Sequence, residues 1–196
     1  MKAILFDFDG VLYNTFALHL EKLREFTRYP ISEEEYRNMH NGNFYSHNVE
    51  ALKEIDWLKY RDFVREYFEN LTMEKTVYDT LVKISRNKQL FVISSGDEYV
   101  ICQYLKNNGV RDFFLEVLGG EFAYSKIIKF EYVLRKYFLE KNESIYITDT
   151  LGDILEAHEF GIKTIAVDLG FHTRETLERG NPYAIISHFE DLPNAF

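Results

Sequence analysis

The feature that most constrains the fold is a short apolar run that ends in two acidic residues. Residues 3–6 read Ala-Ile-Leu-Phe and are followed by Asp7, Phe8, Asp9 and Gly10. Four apolar residues are too few for a buried helix, so the run indicates a central strand of a parallel sheet. Ligands bind at the carboxyl ends of such strands. Asp7 and Asp9, which point to opposite sides of an extended chain, are therefore the first candidate site residues.

Apolar runs of strand length recur along the chain and alternate with segments of helical periodicity. These runs lie at about residues 90–93, 114–118, 144–148, 163–167 and 184–186. Strands that alternate with helices are joined by right-handed crossovers, which place helices on both faces of a parallel sheet. The sequence therefore predicts an α/β fold with a Rossmann-like parallel sheet.

The segment from Phe16 to about Met73 has helical periodicity and no strand pattern. Its candidate helix starts are Ser32 with Glu35 in a capping-box pattern, Ser46 and Asp56. An all-helical block of roughly 60 residues between the first strand and the next βα unit indicates an inserted subdomain. We therefore expect a core domain of residues 1–14 and 75–196 and a helical cap subdomain of residues 15–74.

Charge and hydropathy limit the partners of the chain. A formal net charge of −9 argues against nucleic acid or an anionic membrane as a partner. An anionic small substrate would need local help from a metal ion or a lysine. No signal peptide precedes the first strand, and no apolar run approaches the roughly 18 residues of a membrane span, so we expect a cytoplasmic protein. The oligomeric state is left open between monomer and homodimer.

Further polar residues follow the other predicted strands or begin the neighbouring helices. They are Ser94, Ser95 and Gly96 after the second strand, Lys126 at the start of a later helix, and Asp149 and Asp153 after the fourth strand. Taken alone, each has a structural explanation, since Ser94 can be a cap and Asp149 and Asp153 can be an N-cap and a first-turn acid. Their common place at one edge of the sheet favours an active site.

This order of residues resembles the haloacid dehalogenase superfamily. Its members carry Asp-x-Asp after the first strand, Ser or Thr after the second, a Lys near a later helix start and paired acids after the fourth strand. The resemblance covers the whole chain, and the helical insertion is similar to the small cap of phosphoglycolate phosphatases and β-phosphoglucomutases. It implies a Mg²⁺-dependent phosphatase acting on a small phosphorylated metabolite.

The resemblance also implies a role for each acidic residue. Asp7 would attack phosphorus and form an aspartyl phosphate, and Asp9 would protonate the leaving oxygen and later take a proton from water. Asp7, the backbone carbonyl of Asp9 and Asp149 would hold Mg²⁺, with Asp153 in or just behind that shell. The phosphoryl oxygens would be held by the Ser94 hydroxyl, the following amides of Ser95 and Gly96, and Lys126.

Two positions depart from the family pattern. Relatives often have Gly where this chain has Thr148, and Pro where Ile127 follows Lys126. Lys129, one helical turn further on, is the alternative phosphate-binding lysine. Dehalogenases of the family lack the second acid, so the presence of Asp9 favours phosphoryl transfer.

The cap should close over the core and contact the substrate. Candidates for specificity are His19 on the first cap helix and, in the polar loop after the capping-box helix, His40 and Asn43. Loops of this composition also occur as plain solvated turns.

Three alternatives stay open at this point. A sugar phosphomutase would need basic cap groups, for which Lys22, Arg24 and Arg28 are candidates. A phosphonate hydrolase would need a Schiff-base lysine in the cap, where Lys22, Lys53 and Lys59 have the pattern of solvated residues. The third alternative is a non-catalytic protein that binds phosphate or a partner on the same fold.

Overall fold

The computed structural model describes residues 1–27, 30–43, 50–53 and 55–196. Six strands form one sheet in the order β3-β2-β1-β4-β5-β6, and every neighbouring pair is parallel. The strands are β1 (Ala3–Phe6), β2 (Gln89–Ile93), β3 (Phe114–Leu118), β4 (Ser144–Thr148), β5 (Lys163–Val167) and β6 (Ala184–Ile186). The predicted α/β fold is confirmed, and β1 lies at the centre of the sheet.

Helices connect the strands and form the segment between β1 and β2. They are α1 (Phe16–Phe26), α2 (Glu33–Asn38), α3 (Glu50–Lys53), α4 (Trp57–Phe68), α5 (Lys75–Ser85), α6 (Glu98–Asn107), α7 (Lys126–Lys136), α8 (Leu151–Phe160) and α9 (Arg174–Glu178). Within the described ranges, no helix is both long and apolar enough to cross a membrane. The predicted cap at Ser46 lies outside the described residues.

The two faces of the sheet carry separate apolar clusters, as the alternation of side chains along a strand requires. In β1, Ile4 and Phe6 pack with residues of α5 and α6, whereas Ala3 and Leu5 pack with residues of α7 and α8. All four side chains are fully buried. The sequence of a strand that is covered on both faces is a continuous run of apolar residues, and β1 has this pattern.

The helices before α5 pack around their own apolar cluster and against the core. Residues of α1, α2 and α3 surround Phe171, which follows β5. Helix α4 instead adds Val64 and Phe68 to the cluster beside β1 and α6. The capping box of Ser32 and Glu35 and the Asp56 cap are present. The division into a core domain and a cap at residues 15 and 74 stays a prediction.

The N-cap residue of α8 differs from the one that the sequence offered as a candidate. Thr150 is the N-cap residue, and its hydroxyl accepts a hydrogen bond from the Asp153 amide at 3.4 Å. The alternative that makes Asp149 the N-cap residue is therefore wrong, because Asp149 lies one residue before Thr150, whereas Asp153 does lie in the first turn of α8. The carboxylate of Asp149 is thereby not used to cap the helix.

Candidate active site

The end of β1 places Asp7 deep in the fold and Asp9 at the wall of a cavity. The Asp7 amide donates to the Ile147 carbonyl of β4 at 2.8 Å, which continues the sheet by one residue. The Asp7 side chain is buried, and its Oδ1 accepts the Phe8 amide at 2.7 Å. Burial raises the pKa of Asp7 well above its ordinary value, against the lowering effect of Lys126.

Lys126, the first residue of α7, joins the ends of β1 and α8. Its Nζ donates to Asp7 Oδ2 at 2.8 Å, to Asp153 Oδ2 at 2.6 Å and to the Tyr146 hydroxyl at 2.7 Å. An ammonium group has three donors, so all three are used. Burial lowers the pKa of Lys126, but the Asp153 and Asp7 carboxylates raise it above its ordinary value. Lys126 is therefore charged and fixed between two carboxylates.

Lys129 is fully buried one turn further along α7 and makes a different contact. Its Nζ donates to the Ser94 carbonyl at the end of β2. Burial and the nearby Lys126 charge lower the pKa of Lys129 to about 8. Of the two lysines, Lys126 lies in the cavity wall with Asp7.

Asp153 is held from three sides and faces Lys126. Besides the ammonium group, its Oδ2 accepts the Thr148 hydroxyl at 2.7 Å and the Tyr146 hydroxyl at 3.2 Å. Burial raises the pKa of Asp153, but Lys126 and hydrogen bonding with Asp7 and Thr148 hold it below its ordinary value. Thr148, which stands where relatives often have Gly, thus supports the second acid of this pair.

Asp149 is fully buried and has one oxygen without a partner. Its Oδ2 accepts the Phe171 amide at 2.6 Å, whereas Oδ1 has no hydrogen-bond partner. Burial raises the pKa of Asp149 to about 8 against the lowering effect of the Phe171 amide. Leaving a buried carboxylate oxygen without a partner is costly, which is the situation that a bound cation relieves.

The residues at this point fit a Mg²⁺ ion. Over the described part of the chain, no three His, Cys, Asp or Glu side chains converge as a metal site. Mg²⁺ nevertheless needs only one or two carboxylates besides phosphate and water. Asp7, Asp149 and the Asp9 carbonyl would supply the protein ligands of the ion. The fit is supported by Oδ1 of Asp149, which is buried and has no hydrogen-bond partner. Asp153 is engaged by Lys126 and Thr148 instead.

The loop after β2 brings backbone amides and a hydroxyl to the same cavity. The Ser94 hydroxyl accepts the Gly96 amide at 2.9 Å, and Ser94, Ser95 and Gly96 all line the cavity. A Cβ atom on Gly96 would lie 3.0 Å from Asp9 Oδ2. The close approach shows that this loop passes directly beside the second carboxylate.

Asp9 is contacted by two residues of the helical insertion. Its Oδ1 accepts the Thr15 hydroxyl at 2.8 Å and lies 3.3 Å from His19 Nε2. His19 Nδ1 lies 2.5 Å from the Tyr60 hydroxyl, so the tautomer with its proton on Nε2 satisfies both contacts. Burial raises the pKa of Asp9, but the His19 and Thr15 contacts outweigh it and leave the pKa lowered.

A cavity of about 720 Å³ is lined by residues of α1, α2, α3 and α4 and by residues at the carboxyl ends of β1, β2 and β4. All three residues expected to contact substrate, His19, His40 and Asn43, line this cavity. His40 Nδ1 donates to the Tyr36 carbonyl at 2.9 Å. Burial lowers the pKa of His40 to about 4, so its ring is neutral at neutral pH.

Helix α2 contacts the loop after β5, and the sequence gives no signal of these contacts. Arg37 donates to the Phe171 carbonyl, and His172 Nε2 lies 2.8 Å from the Arg37 carbonyl. His172 Nδ1 also accepts the Leu151 amide at the start of α8. The segment after β5 carries the single acid Asp168 and no acidic pair, so only the hydrogen bonds from the Phe171 and His172 amides to Asp149 show that this segment supports the site.

Gly10 and Gly109 offer a matched pair for testing the position of Asp149. Both have positive φ, +74° and +69°. A Cβ on Gly10 would lie 1.8 Å from Asp149 Oδ2, whereas a Cβ on Gly109 would have none of the described atoms within 4 Å, its chain neighbours aside. In Gly10→Ala and Gly109→Ala, each backbone cost is about 1–2 kcal/mol. Only Gly10→Ala displaces the carboxylate, so we expect kcat/KM to fall by about 100-fold or more for it alone. Equal losses in both variants would contradict the placement of Asp149.

Comparison with known proteins identifies the family. The sequence model of the haloacid dehalogenase-like hydrolases matches residues 4–167. A phosphoglycolate phosphatase from Synechococcus elongatus is 25% identical over 207 aligned residues, which cover 100% of this chain and 97% of that protein. A phosphoglycolate phosphatase from Yersinia pseudotuberculosis is 21% identical over 74% of this chain and 65% of its own.

Solved structures share the fold over nearly the whole chain. A haloacid dehalogenase-like family hydrolase from Streptococcus pneumoniae has a TM-score of 0.80 at 21% identity, covering 99% of this chain and 97% of its own. CbbY from Rhodobacter sphaeroides, in complex with phosphate, has a TM-score of 0.77 at 20% identity, with 98% and 96% covered. The family model over residues 4–167 therefore shows that the chain belongs to the haloacid dehalogenase-like hydrolase family.

Proposed function

We propose that the protein is a Mg²⁺-dependent phosphatase that hydrolyses a small phosphorylated metabolite through an aspartyl-phosphate intermediate. The observation that carries this proposal is the pair Asp7 and Asp9 at the end of β1. The first is fixed by Lys126 at 2.8 Å, and the second lines the same cavity. A nucleophile and a proton-transfer group are thus held side by side at the carboxyl edge of the sheet.

Asp7 acts as the nucleophile. Its position in the cavity wall, two residues from Asp9, lets one carboxylate oxygen attack the phosphorus atom of a bound ester. Burial disfavours the charged form of Asp7, and the Lys126 ammonium counters this effect. Asp7, Asp149 and the Asp9 carbonyl would hold Mg²⁺, which when bound would supply positive charge that reduces repulsion between the carboxylate and the phosphate.

Asp9 transfers the protons. The Thr15 and His19 contacts hold its Oδ1, while Oδ2 lies on the side of Gly96. An anionic phosphoester raises the pKa of a neighbouring carboxyl group, which favours the protonated form that serves the leaving oxygen. After the alcohol departs, the Asp9 carboxylate takes a proton from the water that attacks the phosphoenzyme.

The phosphoryl oxygens are bound by the loop after β2 and by the start of α7. Ser94, Ser95 and Gly96 offer a hydroxyl and backbone amides, and Lys126 offers positive charge. Donors that are fixed before the reaction stabilise the charge that develops on phosphorus without a cost for rearrangement. The hydrogen bonds from Lys126 to Asp153 and Tyr146 keep its ammonium group in place.

The structure gives the mutase alternative less support than the phosphatase. Lys22 is paired with Glu25 at 2.8 Å, and Arg24 donates to the Ile31 carbonyl. Arg28 lies outside the described residues.

The phosphonate hydrolase alternative depends on a lysine that reaches the cavity. Lys59 is paired with Asp56, whereas Lys53 lines the cavity and is the remaining candidate for a Schiff-base lysine.

Chelation tests the proposed chemistry. With Mg²⁺, we expect turnover of at least one member of a panel of acetyl phosphate, 2-phosphoglycolate, glycerol 3-phosphate, p-nitrophenyl phosphate and nucleoside 5′-monophosphates. Released phosphate is the measurement, and EDTA should abolish it until excess Mg²⁺ is added. Turnover that EDTA leaves unchanged would contradict the metal dependence. The absence of turnover across the panel would favour the binding-protein alternative.

A further inference from the structure

The cavity is much larger than a phosphoryl group requires. Its volume of about 720 Å³ falls in the range of roughly 300–1,000 Å³ that is typical of sites for drug-sized ligands. The phosphoryl end is formed by the ends of β1, β2 and β4, whereas the opposite wall comes from the helical insertion. The shape and chemistry of that second wall decide which alcohol fits beside the phosphate.

Aromatic rings form a continuous line from Asp9 along this second wall. His19 contacts Asp9, and the His19 and Tyr60 rings are stacked with centroids 6.0 Å apart. The Tyr60 ring in turn meets the Trp57 ring edge to face at 5.6 Å. Trp57 is the first residue of α4, lines the cavity and is 45% exposed. The Trp57 ring, at the end of this series of aromatic contacts, therefore has an exposed surface in the cavity.

Polar groups of the same wall are largely engaged with protein. The Tyr60 hydroxyl contacts His19, and His40 Nδ1 contacts the Tyr36 carbonyl. Arg61, at the cavity rim, pairs with Asp62 at 3.3 Å. Lys53 also lines this wall, so the wall presents ring faces together with the Lys53 and Arg61 side chains to the alcohol part of a substrate.

We infer that the alcohol released by this phosphatase carries an aromatic or heteroaromatic ring, which stacks on Trp57. Nucleoside 5′-monophosphates and phenyl phosphate belong to this class, whereas 2-phosphoglycolate and glycerol 3-phosphate do not. Stacking of a base on an aromatic side chain contributes about 1–3 kcal/mol, which corresponds to roughly 5- to 150-fold in affinity. Trp57 is thus a specificity-determining residue. The statement that this alcohol is released rests on the proposed function, whereas the binding of a ring to Trp57 does not.

Binding can be measured separately from turnover because Trp57 is the only tryptophan in the chain. In the Asp7→Asn variant with Mg²⁺, we expect uridine and adenosine 5′-monophosphates to change the tryptophan fluorescence in a saturable way. Inorganic phosphate and 2-phosphoglycolate should leave the fluorescence nearly unchanged. Saturable binding of nucleotides without a change in fluorescence, or no binding of either nucleotide or of phenyl phosphate, would overturn the inference.

Steady-state kinetics provide a second test of the role of Trp57. We expect Trp57→Ala to lower kcat/KM for ring-bearing esters by about 10- to 100-fold, mainly through KM, and Trp57→Phe to retain most of it. Acetyl phosphate turnover should change little, and Leu58→Ala, an exposed neighbour on α4, should leave both substrates unaffected. Equal losses for acetyl phosphate and nucleotides, or a preference for ring-free esters, would contradict the inference. Failure to turn over any ester of the panel would count against the proposed reaction, while the fluorescence measurement would still test whether a ring binds at Trp57.

Discussion

Replacing Asp7 by Asn is expected to abolish turnover while the fold is retained. The amide has the size of the carboxylate but cannot attack phosphorus, so we expect kcat/KM to fall by about 10⁴-fold or more. Asp7 is buried, and Lys126 keeps its contact with Asp153 at 2.6 Å, so the neutral side chain leaves the ammonium group with a carboxylate partner. Released phosphate and thermal unfolding measure the two effects.

Asp168→Asn is the matched control for this variant. Asp168 follows β5 as Asp7 follows β1, but its carboxylate pairs with Arg174 at 2.9 Å and accepts the Ser187 hydroxyl. We expect this variant to keep kcat/KM within about 3-fold, as is usual for a change away from the reacting groups. Full activity of Asp7→Asn would contradict its assignment as the nucleophile.

Lys126→Met and Lys129→Met are expected to separate the roles of the two buried lysines. Removal of Lys126 leaves Asp7 and Asp153 without their shared cation, and breaking a buried ion pair in this way costs about 3–5 kcal/mol of unfolding free energy. Loss of a charge-stabilising donor should also lower kcat by roughly 10²–10³-fold. Urea unfolding and steady-state kinetics are the measurements.

Lys129→Met removes one hydrogen bond to the Ser94 carbonyl and no ion pair with a catalytic acid. The buried carbonyl then lacks that donor, at a cost of about 1–3 kcal/mol in unfolding free energy. We expect activity within about 10-fold of the unmodified protein, since Lys126 and Asp7 stay in place. A greater loss of activity in Lys129→Met than in Lys126→Met would make Lys129 the phosphate-binding lysine.

The strands and the acidic site were predictable because each has a local signature. A strand covered on both faces is mainly apolar, as β1 is throughout and as β4 is between its polar end residues Ser144 and Thr148. Polar residues placed directly after such strands have to meet at one edge of the sheet. That topology brings the start of α7 close to the end of β1, where Lys126 contacts Asp7, 119 residues away along the chain.

Other parts of the site depend on tertiary packing that leaves no local pattern. Lys126 and Lys129 are three residues apart and share a helix face, so only the orientation of α7 decides which ammonium group reaches Asp7. The contact of His19 with Tyr60 depends on how α1 packs against α4. Helix α9 has five residues, too few to show a helical period.

The phosphoenzyme provides the most direct test of the proposed mechanism. In Asp9→Asn, the water of the second step loses its base, so p-nitrophenyl phosphate, whose good leaving group needs no proton, should load Asp7 faster than it is hydrolysed. After acid quenching, mass spectrometry should find one phosphoryl group on the peptide that contains Asp7, and hydroxylamine should remove it. Asp7→Asn should show none. Turnover with no phosphoryl group on Asp7, or with one on another residue, would contradict Asp7 as the nucleophile.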